Sequence, residues 1–326
     1  MERVDILLAT YNGEKYLREQ LDSLLRQTYK NIRIIISDDK STDSTQTIIK
    51  EYKLKDERIV FFSQEKNLGV VLNFEFLLKK VQSKYYMFAD QDDIWNDDKI
   101  EKSLNRLKEM EADIVFTDLQ VVDDELNIIN KSYWELKGLK QKILKYNGFN
   151  ALYLNNYVTG CTMIAKSETI QKILPIPSSS KYILHDYWTA LMISQNGKIE
   201  YLNEPTIKYR QHKNNKIGSK KKSETLESLK EIRELFLEVK LEHFEIFNNK
   251  QEKFESEKIK ELNIKSLKYY KYLKKVKYIN FKDWNLFFKL YKYENKKYVL
   301  ENFLILNLPI IAVPLIKIRK RFKKGT

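Results

Sequence analysis

The stretch YYMFADQDDIWNDDK, residues 85–99, decides how the rest of the chain is read. Tyr85 to Ala89 is a continuous apolar run, the pattern of a strand buried on both faces. It stops abruptly at Asp90-Gln91-Asp92-Asp93. A helix-like segment follows, for which Asn96 is a candidate N-cap. Three carboxylates at the end of a buried strand repel one another and lose solvation. A cation removes that cost. Hard divalent ions such as Mg²⁺ and Mn²⁺ take oxygen ligands, often one or two carboxylates together with substrate phosphates. In an open α/β sheet the ligand crevice lies beyond the carboxyl ends of the strands, where this cluster falls. Taken alone, the cluster reads equally well as a polar turn capping the next helix.

Upstream, three more apolar runs have the same form. Val4 to Ala9 reads as a strand ending at Thr10-Tyr11-Asn12-Gly13, a turn signal. Leu17, Leu21, Leu24 and Leu25 follow at helical spacing. Ile32 to Ser37 is a β-branched strand ending in Asp38-Asp39, after which Ser41, Thr42 or Asp43 can cap a helix. Arg58 to Ser63 is a third strand, and Lys66 to Gly69 opens a third helix. Strands alternating with helices imply a mostly parallel sheet with helices on both faces. Two strand ends then carry acidic groups, Asp38-Asp39 and Asp90/Asp92/Asp93, and a third is polar. Convergence of such ends suits a nucleotide, with one carboxylate accepting from the base or ribose and a metal on the diphosphate. There is no P-loop and no G-x-G-x-x-G, so the phosphate-cradling glycines of those motifs are missing.

Downstream, Ile114 to Asp118 reads as a strand, and so does Tyr157 to Ile164, where Gly160 permits close approach. His185-Asp186 precede a helix whose Trp188, Leu191 and Met192 look inward. Asp186 reads as a helix cap or as a functional carboxylate. Trp95 and Trp188 can offer a ring face to a ligand or pack in the core. Thr206 to Tyr209 reads as a strand leading to His212. The single cysteine, Cys161, excludes an intrachain disulfide, fits a reducing compartment, and lies in an apolar run as a small hydrophobe would.

The chain has 326 residues, 43% of them apolar, enough for roughly two domains. Its charge is uneven: residues 1–205 hold 28 Lys and Arg against 31 Asp and Glu, whereas residues 206–326 hold 31 against 14. Leu226, Leu229, Ile232, Leu235, Phe236 and Val239 have helical spacing, so residues 223–275 read as long amphipathic helices. From Tyr269 to Tyr298 the chain is rich in Lys, Tyr and Phe. Phe303 to Ile316 is an uncharged run of 14 residues, too short to span a bilayer as a helix. A basic, aromatic surface ending in an apolar segment fits interfacial membrane docking, and equally a helical domain with a solvated basic face. The N-terminus, with Glu2 and a polar break at Thr10, is unlike a signal peptide. A nucleic-acid-binding reading of the basic third has no recognised motif behind it and leaves the acidic clusters unexplained.

Taken in order, ATYNG, LLRQTYKN, SDDKSTDST, NLGVVLNF, ADQDDIW and HDYW resemble the inverting glycosyltransferases of family 2, which have the GT-A fold. With the Gly160-Cys161-Thr162-Met163 segment and YRQHKNN, the chain is most similar to the bacterial rhamnosyltransferases that build cell-wall and capsular polysaccharides. The resemblance covers roughly residues 1–218. It implies a GT-A catalytic domain over 1–218, and 219–326 is left as a basic, mainly helical region for which membrane association is the expectation.

The resemblance also implies roles. Thr10, Tyr11 and Asn12 would line the nucleotide, and Asp39 would hold the pyrimidine base with Asp38 in support. Lys66, Asn67 and Gly69 would border nucleotide and sugar. Asp90 would face the ribose or donor sugar, with Gln91, Trp95, His185 and Trp188 nearby. Asp92 would bind Mg²⁺ or Mn²⁺, His212 would add a metal or diphosphate contact, and Asp186 would be the base. The family more often has Glu-Asp where this chain has His185-Asp186. The expected donor is dTDP-L-rhamnose, with a UDP-hexose or UDP-N-acetylhexosamine as the alternative. The expected acceptor is a lipid-linked or free oligosaccharide, and the expected location is the cytoplasmic face of the membrane, held by its anionic surface. No nucleic-acid partner is expected.

Overall fold

The apolar runs of the first hundred residues form strands because they are buried on both sides. In the computed structural model, which describes residues 2–139, 148–212 and 229–275, they are β1 (Val4–Thr10), β2 (Ile32–Asp38), β3 (Ile59–Ser63) and β4 (Tyr85–Ala89). Between them run the helices α1 (Leu17–Leu25), α2 (Thr45–Lys55) and α3 (Val70–Leu78). The four strands pair in parallel in the order β3-β2-β1-β4. The register sets Thr10 beside Asp38 and Leu8 beside Ala89, so the polar strand ends lie along one edge.

The second half of the sheet is mixed. After β5 (Ile94–Trp95) and α4 (Lys99–Glu109) come β6 (Ile114–Val122), β7 (Ile128–Asn130) and β8 (Ile164–Lys166). The helix α5 (His185–Ser194) and β9 (Ile199–Arg210) complete it. The order continues β4-β8-β6-β9-β5, with β8 antiparallel to both neighbours, β9 parallel to β6, and β7 antiparallel to β6 outside this path. Alternate residues face opposite layers, as the two-residue period of a strand requires. Ile6, Leu8, Ile34, Ile36 and Met87 share one core with Leu21 and Leu24 of α1, Ile48 and Ile49 of α2, and Leu104 and Leu107 of α4. On the other face Phe88 meets Phe74 of α3 edge-on at 5.2 Å and His185 of α5 at 4.9 Å.

Three local expectations are corrected. Tyr157–Ile164 is not one strand. A 3₁₀ turn at Gly160–Thr162 breaks it, held by the Thr162 hydroxyl on the Thr159 carbonyl at 2.7 Å, and pairing begins only at Ile164. Asn96 does not cap α4. The helix starts at Lys99 after Asp98, and the Asn96 amide donates instead to the Pro205 carbonyl at 3.1 Å. The strand expected at Thr206–Tyr209 begins at Ile199, because Pro205 is absorbed where the β6–β9 register shifts, a position that tolerates a missing donor.

The chain divides into two compact units, Met1–Ser179 with Ile183–Ser219, and Ser180–Tyr182 with Lys220–Thr326. The second contains α6 (Leu229–Asn249) and α7 (Glu257–Lys275). Their amphipathic spacing brings Phe244 and Tyr270 into a stack at 5.3 Å, with Phe247 against Phe254. The Lys/Tyr/Phe-rich segment beyond Lys275 and the apolar run 303–316 lie outside the described residues. Among the described residues no helix is long and apolar enough to cross a membrane.

Candidate active site

The carboxylates expected from the sequence fall into two kinds. Asp38, at the end of β2, is fully buried and fully engaged. It accepts from Thr10 Oγ1 at 3.0 Å, the Ser41 hydroxyl and amide, and Gln46 Nε2 at 2.8 Å. It braces the loops and turns no free oxygen outward. Asp39 clasps the next loop, accepting from Leu68 N at 2.6 Å and Gly69 N at 2.8 Å, while Asn67 Nδ2 donates to its carbonyl. Lys66 and Asn67 are exposed beside it. Asn12, at φ 47°, ties the β1 loop to the β2 loop through Ser41 Oγ and Thr42 N.

The acidic loop after β4 is the other kind. Asp90 is half-buried, and burial with the charges of Asp92 and Asp186 pushes its carboxyl up to about 7. Asp93 is wholly buried and pushed well up, first by burial and then by Asp92 and Asp90. Its Oδ1 accepts from Arg210 N at 3.2 Å, whereas Oδ2 has no hydrogen-bond partner among the described residues. Contrast Asp5 at the opposite end of the sheet. It is equally buried, yet it is met by Arg33, Ser83 and two backbone amides and is held below the usual carboxylate range. A buried carboxylate oxygen left unpaired is costly. Asp92 pairs with His212, Oδ2 to Nε2 at 2.8 Å, so these two expected residues do meet.

Among the described residues, Asp90, Asp93 and Cys161 form a group whose candidate ligand atoms lie within 4.8 Å of one another. Burial and the two aspartates push the Cys161 thiol well up, so it stays protonated. A neutral thiol is a poor ligand for a hard cation, whereas the carboxylates suit one. The unpaired oxygen of Asp93 and the mutual repulsion at Asp90 are the local signs that positive charge is wanted here.

Asp186 is the second residue of α5. Its Oδ1 accepts from Tyr187 N at 2.7 Å and its Oδ2 from Gly160 N at 3.2 Å. Burial pushes its carboxyl up to about 6, against those amides. Gly160 allows the close approach: a Cβ would lie 3.0 Å from His185 Nε2 and 3.1 Å from Asp186 Cβ, so these groups would have to give by a few tenths of an ångström. His185 itself is buried, stacked on Phe74 at 3.7 Å, and it positions the start of α5.

The two tryptophans are corrected. Trp188 is 0% exposed and donates Nε1–H to the Ile173 carbonyl at 2.8 Å, and Trp95 is 1% exposed beneath Lys99. Apolar burial decided both, and neither has a ring face open to a sugar.

Arg210, Tyr16 and Lys99 escaped the sequence reading as site residues. Arg210 is 2% exposed; it donates to the Asp92 carbonyl at 3.1 Å, the Asp124 carbonyl and Glu19, and its guanidinium lies 4.6 Å from the Tyr16 ring. Tyr16 also packs on His212 at 4.8 Å. Lys99, fully buried, donates to Thr206 at 3.2 Å; burial pushes its ammonium down to about 7, while Cys161 and Asp93 draw it up. The available signals were adjacency and motif membership: Lys99 closes the acidic stretch, and Arg210 stands inside YRQHKNN, two residues before His212.

In a sheet of this kind the ligand crevice lies beyond the carboxyl ends of the parallel strands, where these acidic groups are gathered. The family model described as glycosyl transferase family 2 matches residues 5–172, and the chain belongs to that family. It is 31% identical over 211 residues to the uncharacterised glycosyltransferase RT0329 of Rickettsia typhi, covering 64% of each chain, just under two thirds. It is 33% identical over 223 residues to the dTDP-rhamnosyl transferase RfbG of Shigella flexneri, covering 65% of this chain and 74% of that one. Among solved structures it is similar to S. aureus TarS 1–349 in complex with UDP-GlcNAc, with a TM-score of 0.57, 18% identity, and coverage of 93% of this chain and 79% of that chain. The GT-A architecture expected from the sequence is thus found, with its C-terminal helices.

Proposed function

We propose that this chain transfers a sugar, with inversion, from a nucleoside diphosphate to a hydroxyl of a glycan acceptor. Residues 1–218 would form the catalytic domain. The observation that carries the reading is the pair of separated carboxylate sites: the unsatisfied Asp90–Asp93 loop at the end of β4, and buried Asp186 at the start of α5. Inversion needs a base on the face of the sugar away from the leaving diphosphate, on an element distinct from the one that meets the phosphates. Asp186 takes the proton from the acceptor hydroxyl as that oxygen attacks the anomeric carbon. Gly160 N–H and Tyr187 N–H keep the carboxylate oriented. Asp39 and the loop it clasps face the base, and Tyr11 flanks it.

A divalent cation, Mg²⁺ or Mn²⁺, would be held by Asp92 with Asp90 and His212 adjacent, and when bound it stabilises the charge that develops on the diphosphate. dTDP-L-rhamnose is the favoured donor, on the resemblance of the motifs and the similarity to a dTDP-rhamnosyl transferase. The second reading keeps the chemistry and changes the donor to a UDP-hexose or UDP-N-acetylhexosamine, on the likeness to a protein that binds UDP-GlcNAc. Calorimetry with dTDP and UDP, with and without Mn²⁺, separates them. Binding should require Mn²⁺, favour dTDP and weaken at least tenfold in Asp92→Ala, about 1.4 kcal/mol or more. A preference for UDP selects the second reading; metal-independent binding unaffected by Asp92→Ala removes the cation from the proposal.

The acceptor would be lipid-linked, with the basic C-terminal region holding the enzyme on an anionic cytoplasmic surface. The full chain should then sediment with vesicles containing phosphatidylglycerol at low salt and be released as salt rises. Equal sedimentation with purely phosphatidylcholine vesicles would count against an electrostatic anchor.

A further inference from the structure

Gln91 stands between the two aspartates of the acidic loop, and the sequence suggests a ligand contact. Its amide is already engaged elsewhere. Oε1 accepts from the Tyr11 backbone N–H at 2.8 Å, and Nε2 donates to the Tyr11 carbonyl at 3.0 Å. These two bonds pair the side chain with one residue's main chain, as a strand neighbour would. They join the loop after β4 to the loop after β1, 80 positions apart in sequence. The space for this comes from Gly13. A Cβ on Gly13 would lie 2.3 Å from Gln91 Oε1 and 2.6 Å from its Cδ, closer than any real contact, whereas the Gly13 backbone is not in the left-handed region. A Cβ at 13 would therefore push the Gln91 amide, the end of a flexible side chain, out of its place against Tyr11.

The clasp has a cargo. The Tyr11 ring is 48% exposed at the carboxyl end of the central strand β1, an unusual place for a large aromatic side chain to be left open. Other contacts, among them Asn12 N–H to Ser41, Thr42 N–H to Asn12 and Gly13 N–H to Thr45, fix the loop's far side against the β2 loop. Only Gln91 fixes Tyr11 from the acidic side, among the described contacts.

We infer that Gln91 is a positioning residue. Its amide, seated against Gly13, couples the acidic loop to Tyr11 and so presents the aromatic ring to the base of the donor nucleotide at a fixed distance from the diphosphate site. The inference rests on the nucleotide-sugar reading proposed above. Because an aromatic platform acts on bound donor and on the transition state alike, the clasp governs donor affinity and leaves turnover nearly untouched.

The test is a double-mutant cycle on the full chain with Gly13→Ala, Gln91→Ala and the double variant, read by UDP and dTDP calorimetry with Mn²⁺, by donor KM and kcat, and by urea unfolding. Each single variant should weaken nucleotide binding roughly tenfold and raise donor KM by a like factor, from the loss of about two modest hydrogen bonds, with kcat within about threefold of wild type. The double variant should be no worse than Gln91→Ala, because the alanine at 13 then meets no amide. Gln91→Met, which keeps the length and loses both bonds, should behave as Gln91→Ala. Additive penalties, or Gln91 variants that bind as wild type does, would overturn the inference. If Gln91→Ala lowers kcat and alters its pH profile with KM unchanged, Gln91 acts on the chemistry and the clasp idea fails. A wild-type chain that binds neither nucleotide overturns the donor-site reading itself, and is distinguishable from failure of the clasp alone, in which wild type binds normally.

Discussion

Asp186→Asn should lower kcat roughly 10²- to 10⁴-fold, the usual contribution of a positioned general base, while nucleotide affinity stays near wild type. Asparagine keeps the size and one acceptor oxygen; with the ability to take a proton it also loses one of the two bonds from Tyr187 N–H and Gly160 N–H, because its Nδ2 can only donate. The pH dependence has a definite sign. Burial raises the carboxyl of the free protein from 3.8 to about 6, so wild-type kcat/KM should climb as pH rises through about 6 and level off above it. The residual rate of Asp186→Asn should lack that step. Stability gives an independent check. Between pH about 4 and 6 the native carboxyl holds its proton more tightly than the unfolded chain does. Its contribution to stability therefore falls as pH rises through that window. Asparagine has no such dependence, so the variant should gain on wild type in urea midpoint from pH about 4 to about 7. A variant with wild-type kcat would leave Asp186 as a helix-start residue only.

Arg210→Met should cost about 3 kcal/mol of stability, and it should weaken nucleotide binding although the guanidinium is not assigned to the ligand. The cost follows from what is stranded: the carbonyls of Asp92 and Asp124 lose their donor, and Glu19 loses its cation. Glu19 is half-exposed and can return to water, which holds the figure at the lower end for a broken buried pair. Arg210→Lys should recover little, since one ammonium cannot reach three acceptors lying in different directions. Urea unfolding and calorimetry with UDP check both parts. An Arg210→Met protein within about 0.5 kcal/mol of wild type would show that the loop holds its shape without this side chain.

How much of this was legible beforehand depended on the range of the forces involved. β4 was read at Tyr85–Ala89 and found there, and β1, β2 and β3 moved by one residue at an end. A continuously apolar run between polar breaks has few other fates in a sheet covered on both faces. The pairing of Asp92 with His212 could be anticipated only through family resemblance, since 120 positions separate them. Failures occurred where tertiary contacts outweighed local pattern. The Tyr157–Ile164 segment has strand-like composition, yet Gly160 turns so that its N–H reaches Asp186. The strand expected from Thr206 begins at Ile199, and the β6–β9 register shift accommodates Pro205 within it. Trp95 and Trp188 were ambiguous because ring chemistry is the same in a core and in a sugar site. Arg210 stood inside the YRQHKNN segment without a role assigned to it; its importance lies in the burial of its charge, which periodicity does not report.

The position of β9 in the sheet has a consequence for the order in which the protein is made. β9 lies between β6 and β5, and its last residue supplies the contacts to Asp92 and Asp93. During synthesis all four strands of the β3-β2-β1-β4 ribbon are present once the first ninety residues have emerged, because they lie between Val4 and Ala89. The acidic loop emerges next and then waits for more than a hundred further residues before Arg210 exists to hold it. Closing such distant pairings is the slow part of folding, and the open edges beforehand invite misassembly. A nascent chain arrested anywhere between β6 and β9 would therefore contain most of the acidic residues in this reading and none of the finished loop. Ribosome-stalled fragments should acquire nucleotide binding only after residue 210 has cleared the exit tunnel.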